Sequence, residues 1–139
     1  MDQIKEELPM LKALLNDQHM LDNSCYSRDY VEIAKDYIHA NLKTVTVDSL
    51  AKHIGINRSY LTKIFTDKTG LSPMSYITKK RMELAVYYLM HTNWMIREVA
   101  KETGYKDPLH FSKVFKNNYG IGPKEYRKGV EPDDHFKAS

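Results

Sequence analysis

Two stretches of this chain are versions of one stretch. LAKHIG (Leu50 to Gly55) aligns with VAKETG (Val99 to Gly104) at an offset of 49, and YLTKIFTDKTGLSPMSY (Tyr60 to Tyr76) aligns with HFSKVFKNNYGIGPKEY (His110 to Tyr126) at an offset of 50. The second copy therefore carries one extra residue in its turn. Lys63/Lys113, Phe65/Phe115, Gly70/Gly120, Pro73/Pro123 and Tyr76/Tyr126 are identical, and Leu61/Phe111, Ile64/Val114 and Leu71/Ile121 exchange like for like. Agreement at punctuating Gly, Pro and aromatic positions means two copies of one supersecondary unit.

The unit itself is legible. In the first copy Thr46 or Asp48 can cap a short helix through Ile54, Gly55 makes a turn, and Asn57 or Ser59 caps a second helix that ends near Gly70, a left-handed C-cap. A short helix, a Gly-containing turn and a second helix with an apolar inner face form a helix-turn-helix. Leu50, Ile54, Leu61, Ile64 and Phe65 supply its core, and the small Ala51 lets the two helices approach. In the second copy Ile96, Val99 and Ala100 line a helix ending at Thr103, Gly104 begins the turn, and Asp107 caps a helix opened by Pro108. Phe111, Val114, Phe115 and Tyr119 are its core, and Pro123 opens a last short helix through Lys128.

Between the copies, Pro73 to Met90 reads as a linking helix with Ser72 as N-cap and Pro73 at its first position. Ile77, Leu84, Ala85, Tyr88 and Leu89 are its expected buried face. Ahead of the first copy, Asp29 to Asn41 reads as a helix with Val31, Ile33, Ala34, Tyr37 and Ile38 inward. The fold class is thus all-α: two helix-turn-helix modules joined by a central helix.

The ends differ from the body. Residues 1–24 hold two Lys/Arg against five Asp/Glu and residues 130–139 hold one against three, whereas residues 25–129 hold eighteen against ten, a net +8. A basic body between acidic ends favours a polyanionic partner, although such an excess is also what a solvated surface looks like. Ile4, Leu8, Leu11 and Leu15 form an apolar stripe over Met1 to Asp22, either a loose helix on the domain or the remnant of a dimerisation helix, with Pro9 kinking it. Asp22 to Ser27 reads as a linker and residues 130–139 as a disordered acidic tail. The length suits about one domain. One cysteine, Cys25, and no signal peptide or long apolar run point to an intracellular, cytoplasmic protein with no membrane association.

A helix entering a major groove presents hydrogen-bonding or methyl-contacting side chains on the face opposite its core, with cations where phosphates pass. In the first module those outward positions are Arg58, Ser59, Thr62, Lys63 and Thr66. In the second they are Leu109, His110, Ser112, Lys113 and Lys116. Thr62 with Ser112 and Lys63 with Lys113 are the matched pairs expected at base edges or adjacent phosphates. Tyr60 and His110 match each other and either touch DNA or pack over the turn. Lys79, Lys80 and Arg81 are expected as a solvated or ion-paired face, and Trp94 as a plug in its loop. Eighteen residues of central helix at about 1.5 Å each span roughly 27 Å, against about 34 Å between successive major grooves, so a rigid pair of modules asks the DNA to bend toward it or one module to engage weakly.

Catalysis has no footing in these residues. The six histidines are scattered without metal-ligand spacing, and there is no phosphate loop or nucleophile motif, so no catalytic residue, metal or cofactor is expected. The remaining alternative is a helical protein-interaction module that uses the N-terminal stripe.

From about Tyr30 to Lys128 the chain resembles the DNA-binding domain of the AraC/XylS family of bacterial transcription regulators. The resemblance rests on Arg81, Ala85 and Leu89 of the linking helix, the I-x-x-V-A core, Gly104-Tyr105, Phe111-Ser112, Phe115-Lys116, Gly120, and Pro123 with Tyr126-Arg127. It implies seven helices and recognition helices in adjacent major grooves of promoter DNA. Carried over by position, it implies base reading by Ser59, Thr62 and Lys63 in the first module and by Pro108, Leu109, Ser112 and Lys113 in the second. Pro108 and Leu109 depart from polar readers. The resemblance also implies RNA polymerase as a partner, and either a homodimer formed through residues 1–22 or through an effector domain of a longer regulator, or a short member of the family that acts as a monomer without an effector.

Overall fold

The computed structural model describes residues 23–129, with side-chain environments from Tyr30 onward. Those residues form seven helices and no strand: α1 (Asn23–Ala40), α2 (Val47–Ile54), α3 (Arg58–Thr69), α4 (Pro73–His91), α5 (Ile96–Glu102), α6 (Pro108–Tyr119) and α7 (Pro123–Arg127). The stripe at Met1 to Asp22 and the tail at 130–139 lie outside the described residues.

The punctuation read from the repeat sets the helix ends. Thr46 rather than Asp48 caps α2, its hydroxyl accepting from the Ser49 N–H at 2.9 Å, and the Ser49 hydroxyl accepts in return from the Thr46 N–H at 2.9 Å. Asn57 rather than Ser59 caps α3, Ser72 caps α4 ahead of Pro73, and Asp107 caps α6 ahead of Pro108. Glu98 reaches back to accept from the Met95 N–H at the start of α5.

There are two cores, one per module. Val31, Ala34 and Ile38 of α1 pack with Leu50, Ala51, Leu61, Ile64, Phe65 and Ile77. Met82, Ala85 and Leu89 of α4 pack with Val99, Ala100, Tyr105, Phe111 and Phe115. Helix α4 thus serves the first core at Ile77 and the second from Met82. Those positions are five residues apart, which at 3.6 residues per turn rotates the buried stripe by about 140°.

That rotation corrects the expected inner face. Ile77, Ala85 and Leu89 are buried, but Leu84 and Tyr88 are only half-buried, and Arg81 and Met82 take the interior instead. Arg81, expected on a solvated basic face, is 8% exposed. In α1, Ile33 is 41% exposed, because the buried set Val31, Ala34 and Ile38 leaves it on the flank. Helix α1 also begins at Asn23, so residues 23–27 extend the first helix instead of linking to it: no proline or glycine there interrupts the helix. Trp94 is 36% exposed and lies over Tyr88, ring centroids 4.6 Å apart, so it covers the end of α4 instead of plugging the loop.

Candidate nucleic-acid interface

The two modules share one backbone bond of the turn and differ in another, since Gly104 N–H donates to the Lys101 carbonyl at 3.2 Å where Gly55 N–H donates to that of Ala51. The Ala51 carbonyl accepts from Gly55 N–H at 2.8 Å and from Ile56 N–H at 3.2 Å; in the second module the Ala100 carbonyl accepts from Tyr105 N–H at 2.9 Å. Tyr105 therefore stands where Ile56 stands, and since Asn57 and Asp107 are both N-caps, the extra residue of the second copy is Lys106. Gly55 has φ +87° and Gly104 φ +101°, left-handed conformations that cost other residues about 1 kcal/mol or more.

With Leu61, Ile64 and Phe65 turned inward, α3 presents Arg58, Ser59, Tyr60, Thr62, Lys63 and Thr66 as an exposed face. Arg58, Ser59 and Thr62 line one shallow depression at its N-terminal end. With Phe111 and Phe115 inward, α6 exposes Pro108, Leu109, His110, Lys113 and Lys116, while Ser112 is half-buried. Leu109 is 71% exposed, the most open of the large apolar side chains described. Thr62 and Ser112, matched in sequence, thus differ in access.

Tyr60 and His110 share a position and a posture. Both are exposed, and both set a ring edge against an aromatic: Tyr60 on Tyr30 of α1 at 6.3 Å, His110 on Tyr105 of the turn at 5.5 Å. Packing and exposure coexist at this position.

The cations of the two helices are held differently. Arg58 Nη1 sits 3.1 Å from Asp48 and Lys63 Nζ 3.2 Å from Asp67, and all four side chains are at least 62% exposed. Such pairs are worth about 0–1 kcal/mol, so either cation can exchange its carboxylate for a phosphate at little cost. The ion pairs of the described residues include neither Lys113 nor Lys116. Lys106, exposed in the turn just before α6, adds a cation at the same end. The offset change between the two halves of the repeat was the signal for it, since an inserted turn residue abuts the recognition helix.

Two arginines act elsewhere. Arg81 Nε donates to the Leu42 carbonyl at 2.9 Å and its Nη2 to the Val45 carbonyl at 3.0 Å. Arg127 donates to the carbonyls of Leu89 at 3.0 Å, Trp94 at 2.6 Å and Thr92 at 3.3 Å. Each ties the loop that leads into a module's first helix. Among the described residues, no helix is long and apolar enough to cross a membrane, and no group of three His, Cys, Asp or Glu side chains gathers to hold a metal.

Known proteins share this arrangement. A family model described as a helix-turn-helix domain matches residues 50–129. The lactose operon transcription activator of Staphylococcus xylosus is 42% identical over 98 residues, 70% of this chain and 35% of that protein. The C-terminal domain of AraT, a response regulator from Geobacillus stearothermophilus, superposes with a TM-score of 0.71 at 30% identity, over 76% of this chain and 89% of that one. A Chromobacterium violaceum transcriptional regulator of the AraC-type DNA-binding domain-containing proteins superposes with a TM-score of 0.66 at 26% identity, over 75% of this chain and 94% of that one. The chain spans about a third to a half of the length of the curated relatives it matches. With its paired turns, its two cores and its shared central helix, the chain belongs to the AraC-type helix-turn-helix family of transcription regulators.

Proposed function

We propose that this chain binds double-stranded promoter DNA sequence-specifically, laying α3 and α6 in successive major grooves, and thereby regulates transcription. The observation that carries this is the matched pair of outward faces on two capped helices whose other sides are buried in separate cores. The S. xylosus relative, an activator of lactose operon transcription by name, supports the same role.

Thr62 and Lys63 read or border the bases in the first groove, with Ser59 beside them and Arg58 on phosphate. Lys113 and His110 serve the second groove, Leu109 offers a methyl-sized apolar contact suited to thymine, and Pro108 fixes the first turn of α6. Ser112, half-buried, contacts the groove floor less than Thr62 does. Tyr60 flanks the first helix and borders the backbone. No catalytic step, metal or cofactor belongs to this function. RNA polymerase as a partner, a second copy paired through residues 1–22 or an effector domain, and a cytoplasmic location complete the proposal.

Selection of bound duplexes from a random library at near-physiological salt tests it. Two short half-motifs about one helical turn apart, about 10 base pairs, are expected. No enrichment, or an affinity indifferent to salt, would overturn the reading, because phosphate contacts release counterions and an apolar protein interface does not.

A further inference from the structure

The two modules touch each other directly as well as through α4. Arg81 leaves α4 between Ile77, the last residue it gives the first core, and Met82, the first it gives the second. Its guanidinium holds the Leu42 and Val45 carbonyls of the α1–α2 loop, which belongs to the first module, and lies 5.7 Å from the ring centre of Tyr105 in the turn of the second. Lys43 of the same loop pairs with Glu102 at the end of α5, Nζ to Oε2 3.2 Å.

Gly104 shows how close this approach is. A Cβ there would stand 2.7 Å from the Lys43 carbonyl oxygen and 3.0 Å from Arg81 Nε. Gly55, its counterpart in the first module, has the same left-handed backbone yet a Cβ there would meet nothing within 4 Å. Gly55 answers to φ alone, whereas Gly104 answers to φ and to a neighbour's backbone.

We propose that Arg81 and Gly104 are positioning residues that clamp the α1–α2 loop against the α5–α6 turn and so fix the separation and angle of α3 and α6. The proposal rests on the DNA-binding function above, but the contact it names exists without DNA. A clamped pair of readers presents its half-motifs at one spacing, and the second half-motif then adds as an intramolecular event. Burial holds the Arg81 guanidinium below its ordinary pKa, against the opposing influence of Tyr105, yet an arginine keeps its proton at neutral pH and its donors stay available.

The test compares Arg81→Met, Gly104→Ala and the control Gly55→Ala, each checked by circular dichroism. On duplexes carrying the selected half-motifs, the unsubstituted chain should bind the full site at least about tenfold more tightly than either half alone, and should lose that margin when one or two base pairs are inserted. Arg81→Met and Gly104→Ala should keep half-site affinity and lose the full-site margin or its spacing preference, while Gly55→Ala keeps both. In a separate arm without DNA, spin labels at Lys68→Cys and Asn117→Cys in a Cys25→Ser background report the distance between the ends of α3 and α6. A narrow distribution should broaden in Arg81→Met and Gly104→Ala and stay narrow in Gly55→Ala. Folded variants that retain the spacing profile and the narrow distribution would overturn the clamp. If no duplex binds the unsubstituted chain, the DNA-binding function fails and the spin-label arm alone decides the clamp. Should Arg81→Met not fold, the comparison of Gly104→Ala with Gly55→Ala decides it.

Discussion

Phe65 and Phe115 are one residue of the repeat seen twice. Each is fully buried, in a different core, and each receives the edge of a tyrosine from the following helix: Tyr76 at 5.2 Å and 74°, Tyr126 at 5.4 Å and 88°. The linking helix and the last short helix are thus equivalent as lids, although one has 19 residues and the other five.

Truncating either ring should therefore damage one module. Phe65→Ala and Phe115→Ala are each expected to cost about 3–5 kcal/mol, the usual penalty for emptying a buried aromatic site. Amide hydrogen exchange should show protection lost in α2 and α3 for the first and in α5 and α6 for the second. An unchanged melting temperature would refute these core assignments.

Lys63→Ala and Lys113→Ala are expected to weaken specific DNA binding by about 1–3 kcal/mol each, and to shallow the salt dependence by about one unit of slope where the lost contact is to phosphate. Fluorescence anisotropy across a salt series measures both. Wild-type affinity in both variants would remove these lysines from the interface.

Asp67 pairs with Lys63 across 3.2 Å and, under the proposed function, would compete with DNA phosphate for it. Asp67→Asn should tighten binding by a few-fold at low ionic strength, an advantage that fades as screening shortens the reach of the charge. Weaker binding in this variant would mean that the carboxylate orients Lys63 instead of restraining it.

Arg127→Met removes donors from three carbonyls around the end of α4. Hydrogen bonds from a charged group are worth about 1.5–3 kcal/mol, and the second module should lose about that much stability in a urea titration. A midpoint within error of wild type would show that water replaces the guanidinium.

Asp107 Oδ1 accepts from the Leu109 N–H at 3.0 Å, and Asn57 Oδ1 from the Tyr60 N–H at 2.8 Å. Replacing either cap by Ala should cost about 1 kcal/mol of thermal stability. The caps also set where each recognition helix begins, so a loss of DNA affinity beyond the loss of folded protein is expected for both.

Much of this architecture was legible because its signals are local. The repeat located both turns; Ser72, Gly70 and Asp107 mark helix ends through bonds that span two to four residues, and Pro73 and Pro108 mark them through the N–H they lack. Arg81 was not legible, because its partners Leu42 and Val45 lie 39 and 36 residues away and are backbone atoms that no side-chain pattern announces. Leu84 and Tyr88 were misplaced for a related reason: a single helical period assumes one core, and α4 faces two. Ser112 looked equivalent to Thr62 in sequence, yet it is half-buried where Thr62 is exposed, a difference of local packing that identity of type does not reveal.

Arg81 and Arg127 donate their hydrogen bonds to carbonyl oxygens distant in sequence, and every residue carries one. The loops they tie can therefore change their side chains from one descendant to the next without losing the tie, so long as the backbone path survives. The structural constraint falls instead on three places, the two arginines and the glycine with no room for a methyl group. Side chains on the exposed faces of α3 and α6 can then be exchanged while the frame behind them stays put.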